Sequence, residues 1–371
     1  MSPKIVDLFC GIGGLGLGAA RAGFQLALSV DNDAKLLEIH KTNFPTSGHL
    51  NADVATLNGA QMLAASNIQA GELVGVIGGS PCQGFSWIGK RNLRDRRNEL
   101  FKHFFRLVSE TNPVFFVAEN VRGILDAQNR CLVEQGLALV RGTYELLEPF
   151  VLDAADFGAA TCRERVFFVG FLPNRFDNLT AKELDSEKWN RRTTVGTALI
   201  GLPLKLRPSW SCDVRGWRRL RSKHRGRFWD GIFGQRPADV GDHDVARMLS
   251  RDHLVSGCIG TIHSPAVVKR FSKVPEGGID SVSRMPRLDR SGLCPTLRAG
   301  TGPDRGSFQA LRPIHFSEPR VITPREAARL QGFPDWFRLG ATKWHAFRGI
   351  GNSVSPFVAR ALFDVLARKL K

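Results

Sequence analysis

The chain has no long apolar run: nowhere in its 371 residues do the roughly 18 to 20 uninterrupted apolar positions of a bilayer-spanning helix occur. The opening segment, Met1-Ser2-Pro3-Lys4-Ile5-Val6-Asp7, also lacks the apolar stretch of a secretory signal and runs directly into a strand-like sequence. Cysteine pairs are missing too. The seven cysteines, at 10, 82, 131, 162, 212, 258 and 294, form no C-x-x-C, and their odd number and scatter argue against a disulfide framework. No metal site is expected, and a reducing, cytoplasmic setting is. Acidic residues are also in short supply. Asp and Glu total 35 against 52 Lys and Arg, which leaves a net charge of +17 and favours a polyanionic partner. With no membrane span, nucleic acid is the better candidate. The 43% hydrophobic content supports a sizeable core, which excludes disordered, collagenous and disulfide-stapled chains. At roughly 150 residues per domain, two or three domains are expected.

Apolar and amphipathic runs alternate through the first half, as in a doubly wound α/β sheet. Ile5–Phe9, Gln25–Val30, Leu73–Ile77, Val114–Ala118 and Val166–Val169 read as strands. Leu100, Phe101, Phe104, Phe105, Leu107 and Val108 recur at helical spacing. A second helical stripe runs from Val354 to Leu366, with Ser355 as its cap and Pro356 at its first position. From about residue 186 the character changes. Residues 191–227 hold eleven Lys and Arg against the single Asp213, with Trp210, Trp217, Phe228 and Trp229 interleaved. Residues 275–306 are rich in Gly, Pro, Ser and Arg and read as long loops. The expected organisation is an α/β domain of residues 1–185 plus 339–371, with a smaller basic domain, 186–338, inserted into it.

Three constellations carry chemistry. Cys10-Gly11-Ile12-Gly13-Gly14-Leu15-Gly16 follows a strand and opens a helix, with Asp31 ending the next strand. Glycines admit a nucleotide close to the backbone and an acidic residue there binds ribose hydroxyls. This pattern fits NAD, FAD or S-adenosyl-L-methionine. Gly79-Ser80-Pro81-Cys82-Gln83-Gly84 leaves another strand at the carboxyl edge of the sheet, where open α/β proteins place their sites. A thiol of pKa near 8.5 is only a few per cent ionised at neutral pH, yet Cys82 in such a loop is a candidate nucleophile. Glu119-Asn120-Val121 ends a third strand at the same edge, so a carboxylate joins the thiol. In Thr161-Cys162-Arg163-Glu164-Arg165, a strand-like path puts Thr161, Arg163 and Arg165 on one face.

Taken in order, Asp7-Leu-Phe-Cys-Gly-Ile-Gly-Gly-Leu15, Ser80-Pro-Cys-Gln-Gly-Phe-Ser86 and Glu119-Asn-Val121 resemble the DNA (cytosine-5)-methyltransferase family. Arg163-Glu-Arg165, Thr323-Pro-Arg-Glu-Ala-Ala-Arg-Leu-Gln-Gly-Phe-Pro334 and Arg348-Gly-Ile-Gly-Asn-Ser-Val354 continue the series. The resemblance implies a Rossmann-like S-adenosyl-L-methionine-dependent domain with an inserted target-recognition domain. It implies that Cys82 attacks C6 of a cytosine and that Glu119 holds N3 and the exocyclic amine. Arg165 would contact O2 of the base, and Arg163 would support the loop carrying Cys82. Phe9, Gly11 and Gly14 would line the cofactor site, with Phe9 on the adenine. Asp31 would take the ribose, Asp53 and Val54 the adenine edge, and Pro81, Leu100, Asn352 and Val354 would complete the pocket. The implied partner is double-stranded DNA. Candidate DNA contacts in the basic insert are Arg207, Arg215, Arg218, Arg219, Arg221, Lys223, Arg225 and Arg227, with Arg298 in the Gly-hinged segment 296–302.

Four positions depart from the family pattern: Thr161 for Gln, Asp31 for Glu, Ala52 for Gly and Ser355 for Pro. None removes a catalytic group, so an active enzyme is expected. Other chemistries fit less well. A zinc deaminase needs H-x-E and P-C-x-x-C, but no His has Glu two residues on, and Phe85 stands where the second Cys would be. An amino-methyltransferase of DNA resembles a Pro-Pro loop that is missing here. An oxidoreductase leaves Ser80-Pro-Cys-Gln83, Glu119-Asn-Val121 and the basic insert unexplained. The expected setting is a bacterial cytoplasm, on the nucleoid. The enzyme is expected to act as a monomer, with a cognate restriction endonuclease acting separately.

Overall fold

In the computed structural model, residues 2–69, 71–81, 99–206, 216–221, 224–234, 236–300, 310–340 and 342–371 are described. Among these, no helix is long and apolar enough to cross a membrane. The chain divides into two compact units, one of residues 1–153, 164–188 and 358–371, the other of 154–163 and 189–357.

The first unit is built on β1 (Lys4–Leu8), α1 (Gly14–Arg21), β2 (Gln25–Asp31), α2 (Ala34–Asn43), β3 (Gly48–Asn51), α3 (Gly59–Ser66) and β4 (Gly75–Gly79). It continues with α4 (Glu99–Thr111), β5 (Phe115–Asn120), α5 (Arg130–Ala138), β6 (Glu145–Leu146), β7 (Phe150–Asp153) and β8 (Glu164–Phe171). The strand order is β3-β2-β1-β4-β5-β8-β6, with β7 also on β8. The first five pair in parallel, while β8 runs antiparallel to β5. Parallel central strands are covered on both faces and so read as unbroken apolar runs. Accordingly Ile5, Val6, Val76, Phe115, Phe116 and Val117 are wholly buried.

Neighbouring residues on a strand point to opposite faces, and Phe115 and Phe116 show both sides filled. Phe115 meets Phe24 and Phe176, whereas Phe116 meets Phe104, Phe105 and Tyr144 edge-on. The apolar stripe of α4 is buried as its spacing predicts, and Phe101 reaches Phe168 of β8. Each such ring contributes about 1.5–3 kcal/mol of burial. β3, β6 and β7 are not among the strands read from the sequence. They have only two to four residues each, too short for periodicity to register.

The second unit holds α6 (Val195–Leu199), a two-strand ribbon of β9 (Arg218–Arg219) and β10 (Leu254–Val255), α7 (Arg227–Phe233), α8 (His243–Asp252), α9 (Pro265–Ser272), α10 (Pro324–Leu330) and α11 (Lys343–Asn352). Its interior is polar as well as apolar. Arg325 donates to the carbonyls of Ser256, Pro334 and Phe337, and Arg329 pairs with Asp335, all three side chains being fully buried. Thr323 and Glu326 form a reciprocal cap with Pro324 at the first position of α10.

The boundaries differ from the expected 186–338. Gln331 donates to the carbonyls of Ile350 and Ser353, which ties α11 to the second unit. Residues 154–163 join it through Thr161, which bonds the Cys294 carbonyl, and through the Trp189 N–H on the Asp156 carbonyl. The last helix, α12 (Pro356–Lys369), starts with Pro356 as expected, while the Ser355 hydroxyl donates to the Gln331 carbonyl.

Candidate active site

Strand order reverses between β1 and β4, because β2 follows on one side and β5 on the other. Ligands of open α/β sheets bind outside the carboxyl ends of the strands at such a point. Because β8 is antiparallel to its neighbour, its first residues lie at the edge where β5 ends. One edge of the first unit therefore carries Phe9, Asp31, Asp53, Ser80-Pro81, Glu119 and Arg165.

The turn after β1 is built for close approach. Phe9 is half-buried against the core with φ 59°, a left-handed conformation that costs a side-chain-bearing residue roughly 1–2 kcal/mol. Gly11 has φ +55°, and a Cβ built on it would meet nothing within 4 Å, so that face of the turn is open. Its N–H donates to Asp31 Oδ2 at 2.8 Å, while Asp31 Oδ1 accepts from the Asp33 N–H at 2.8 Å. The shorter acid at this position thus has one oxygen on each of two backbone donors, and each carboxylate oxygen can accept more than one hydrogen bond. Gly14 opens α1 and is buried.

Further along the edge, Asp53 is exposed and its Oδ1 accepts from the Ala55 N–H at 2.9 Å. The Val54 side chain is buried in the core, and its N–H has no hydrogen bond among the described residues. A carboxylate beside a free N–H is the acceptor–donor pair that an adenine edge requires. These residues fit the nucleoside half of S-adenosyl-L-methionine. Leu100 is buried in the first turn of α4. Asn352 and Val354 belong to the second unit, where Asn352 ends α11 exposed and Val354 is buried.

Glu119 and Arg165 form the charged pair of the site. Arg165 Nε lies 2.7 Å from Glu119 Oε1, and neither side chain is more than 14% exposed. The register of β5 and β8 puts Glu119 opposite Phe167, so Arg165 is its diagonal same-face neighbour. Gly79 on β4 leaves room for the carboxylate, since a Cβ there would sit 2.5 Å from Glu119 Oε2. Asn120 donates to Ser80 Oγ at 3.0 Å, which binds the start of the thiol loop to the end of β5. Gly79 and Asn120 were not among the site residues expected from the sequence. Their signal is the pairing of β4 with β5, which a linear reading does not contain.

Cys82 lies outside the described residues, as do Arg207, Arg215 and Lys223; Pro81 is the last described residue before it. Three buried cysteines, Cys10, Cys258 and Cys294, are poor nucleophiles. Burial pushes the Cys10 thiol well up, with the Asp7 and Asp31 charges adding to it, and burial raises Cys258 to about 12. Cys294 is raised by burial as well.

In the second unit, Arg163 is buried and donates to the carbonyls of Leu297 at 3.2 Å and Gly351 at 2.8 Å. Thr161 and Arg163 are buried while Cys162 and Glu164 are exposed, the alternation expected of a strand-like path. Arg219, Arg221, Arg225 and Arg227 are exposed, Arg218 is half-buried on β9, and Arg227 lies over the Trp189 ring at 4.7 Å. Arg298 is half-buried. Phe228 and Trp229, read from the sequence as part of an aromatic-laced binding surface, are instead buried, with Trp229 stacked on Phe233. The amphipathic spacing of α7 turns them into the unit's core.

Fold and site together define a Rossmann-like methyltransferase. The profile of the C-5 cytosine-specific DNA methylases matches residues 3–368. The chain belongs to this family and is a DNA (cytosine-5-)-methyltransferase. It is 38% identical, over all of its length and 85% of the relative's, to the Type II methyltransferase M.XorII of Xanthomonas oryzae. It is 29% identical to M.DdeI of Desulfomicrobium norvegicum, over 97% of this chain and 88% of that one. An E. coli protein described as a prophage-encoded DNA modification methyltransferase superposes with a TM-score of 0.88 at 43% identity, covering 99% of both chains. The S. pombe Dnmt2 methyltransferase shares the fold, with a TM-score of 0.64 at 17% identity and 98% coverage of both.

Proposed function

We propose that the protein methylates C5 of a single cytosine, flipped out of duplex DNA at a specific sequence, through a covalent bond from Cys82 to C6. The observation that carries this reading is the Glu119–Arg165 pair at 2.7 Å, at the edge where β4 leads into Pro81 and Cys82. An electron-poor ring makes C5 a weak nucleophile. Addition of the Cys82 thiolate at C6 moves the C5–C6 π electrons onto C5, and the charge that spreads to N3 and O2 needs donors. Arg165 supplies one toward O2, and Glu119, once it takes up a proton from solvent as the base enters, supplies one toward N3. C5, now nucleophilic, would take the methyl group; loss of its remaining proton to a base then re-forms the C5–C6 double bond as the C6–S bond breaks and the thiolate leaves. S-adenosyl-L-methionine would be held by Phe9, Gly11, Gly14, Asp31, Asp53, Val54, Pro81 and Leu100, with Asn352 and Val354 assigned to its pocket by the family resemblance alone, and would supply an electrophilic methyl group when bound.

These groups act only on a base taken out of the stack, and unpairing it costs a few kcal/mol. Contacts to DNA from Arg207, Arg215, Arg218, Arg219, Arg221, Lys223, Arg225, Arg227 and Arg298, shared between phosphates and base edges, offset that cost. Arg163 acts indirectly, by supporting the loop that carries Cys82, which lies outside the described residues; among the described ones it ties the Leu297 and Gly351 carbonyls together. The Type II relatives support a role in a restriction–modification system; a separate endonuclease, a monomeric enzyme and a place on the bacterial cytoplasmic nucleoid are part of the same proposal.

Nucleoside mass spectrometry of unmethylated DNA, incubated with the protein and S-adenosyl-L-methionine, tests the reading. 5-Methylcytosine is expected with the wild type and none with Cys82→Ser, while DNA and cofactor binding persist. N4-methylcytosine, or wild-type turnover by Cys82→Ser, overturns the covalent mechanism.

A further inference from the structure

The turn at Asp53–Leu57 is held from outside by one side chain of α4, and that side chain has no assigned role. Arg106 Nη2 donates to the Val54 carbonyl at 3.1 Å and to the Leu57 carbonyl at 2.7 Å. Its Nη1 pairs with Glu110 at 2.8 Å, and its Nε donates to His103 Nδ1 at 3.1 Å. The other oxygen of Glu110 accepts from the Gly59 N–H at 2.6 Å, at the first residue of α3. The guanidinium therefore spends a planar set of donors on both ends of one turn, a geometry that a lysine cannot reproduce. Within the turn, Thr56 and Leu57 donate to the Asp53 carbonyl, and Asn58 caps α3 with Gln61. The carbonyl of the Asp53–Val54 peptide group is thus held from within the turn and the next one, of Val54, by Arg106, while the Val54 N–H has no hydrogen bond among the described residues.

We infer that Arg106 is a positioning residue for cofactor recognition: by clamping the Val54 and Leu57 carbonyls it aims the Val54 N–H and the Asp53 carboxylate at the adenine edge. The inference rests on the reading that Asp53 and Val54 face the adenine. A group acting this way sets adenine selectivity, whereas a group that only stabilises the fold does not.

The experiment compares binding of S-adenosylhomocysteine and S-inosylhomocysteine by calorimetry, because the inosyl compound reverses the donor at the base edge. Wild type should prefer the adenosyl compound, and Asp53→Asn should lose that preference. Arg106→Met should weaken S-adenosylhomocysteine binding about tenfold, the scale of one charge-assisted hydrogen bond, with a smaller loss for the inosyl compound. Affinity for a random-sequence duplex should stay within about twofold, because no DNA contact is assigned to α4. Arg106→Lys should recover only part of the preference, and it carries the same comparison if Arg106→Met does not fold. Equal losses for both compounds in the Arg106 variants, with Asp53→Asn selective, overturn the role of Arg106 alone. An unchanged preference in Asp53→Asn overturns the adenine reading itself.

Discussion

Gly79→Ala separates catalytic positioning from stability. The new Cβ would sit 2.5 Å from Glu119 Oε2, so the oxygen must move by roughly 0.9 Å to reach ordinary contact at 3.4 Å. The obstructing atom is the free end of a flexible side chain, and the other Glu119 atoms lie at 3.6 Å or beyond. The fold therefore gives way cheaply, and stability should fall by no more than about 1 kcal/mol, a Tm shift of about 2–4 °C. The carboxylate, though, leaves its 2.7 Å contact with Arg165. Displacing a positioned catalytic group by about 1 Å costs on the order of 100-fold in rate. Single-turnover methyl transfer to DNA from tritium-labelled S-adenosyl-L-methionine should show that loss, with S-adenosylhomocysteine affinity unchanged. Gly78→Ala is the contrast: its Cβ would lie 2.4 Å from the Leu8 carbonyl oxygen, backbone of the adjacent strand, and should cost the fold itself. A folded Gly79→Ala enzyme with wild-type turnover would refute the placement of Glu119 as the base-contacting acid.

Two further outcomes concern stability. Asp335→Ala strands the fully buried Arg329 guanidinium, which Asp335 now holds at 2.6 and 2.8 Å, and should cost about 3–5 kcal/mol in urea unfolding. A loss under about 1 kcal/mol would mean that the pair is not buried as described. Burial also pushes His49 and His315 down to about 4, and the Ser317 and Glu318 N–H groups both donate to His315 Nδ1. With an unfolded value near 6.5, the unfolded chain binds more protons below that pH, so stability is full above about 6.5 and falls as pH drops toward 4. Urea midpoints measured between pH 7 and pH 5 should show this slope, and His315→Asn should flatten it. A flat wild-type profile contradicts it.

Much of the site is legible in the sequence because its signals are local. A glycine turn between a strand and a helix, a Pro-Cys loop and an acid at a strand end each need only a few consecutive residues, and apolar runs locate the central strands. Asp31 reaching back to Gly11 also follows from the turn. Phe228 and Trp229 mislead for a related reason: an aromatic among arginines reads equally as a binding platform or as the buried side of a short helix, and only packing tells the two apart.

The residue types and their order, then, come from sequence alone: a thiol, an acid, two arginines and a glycine-rich turn, together with the basic surplus of the second half. Tertiary structure decided which of them meet. Glu119 and Arg165 are 46 positions apart and pair because β8 runs antiparallel to β5. Gly79 matters because β4 lies against β5, and Arg106 because α4 crosses a turn some fifty residues earlier in the chain. Register and strand direction are set by burying apolar faces over the whole sheet, a collective balance that no local segment contains.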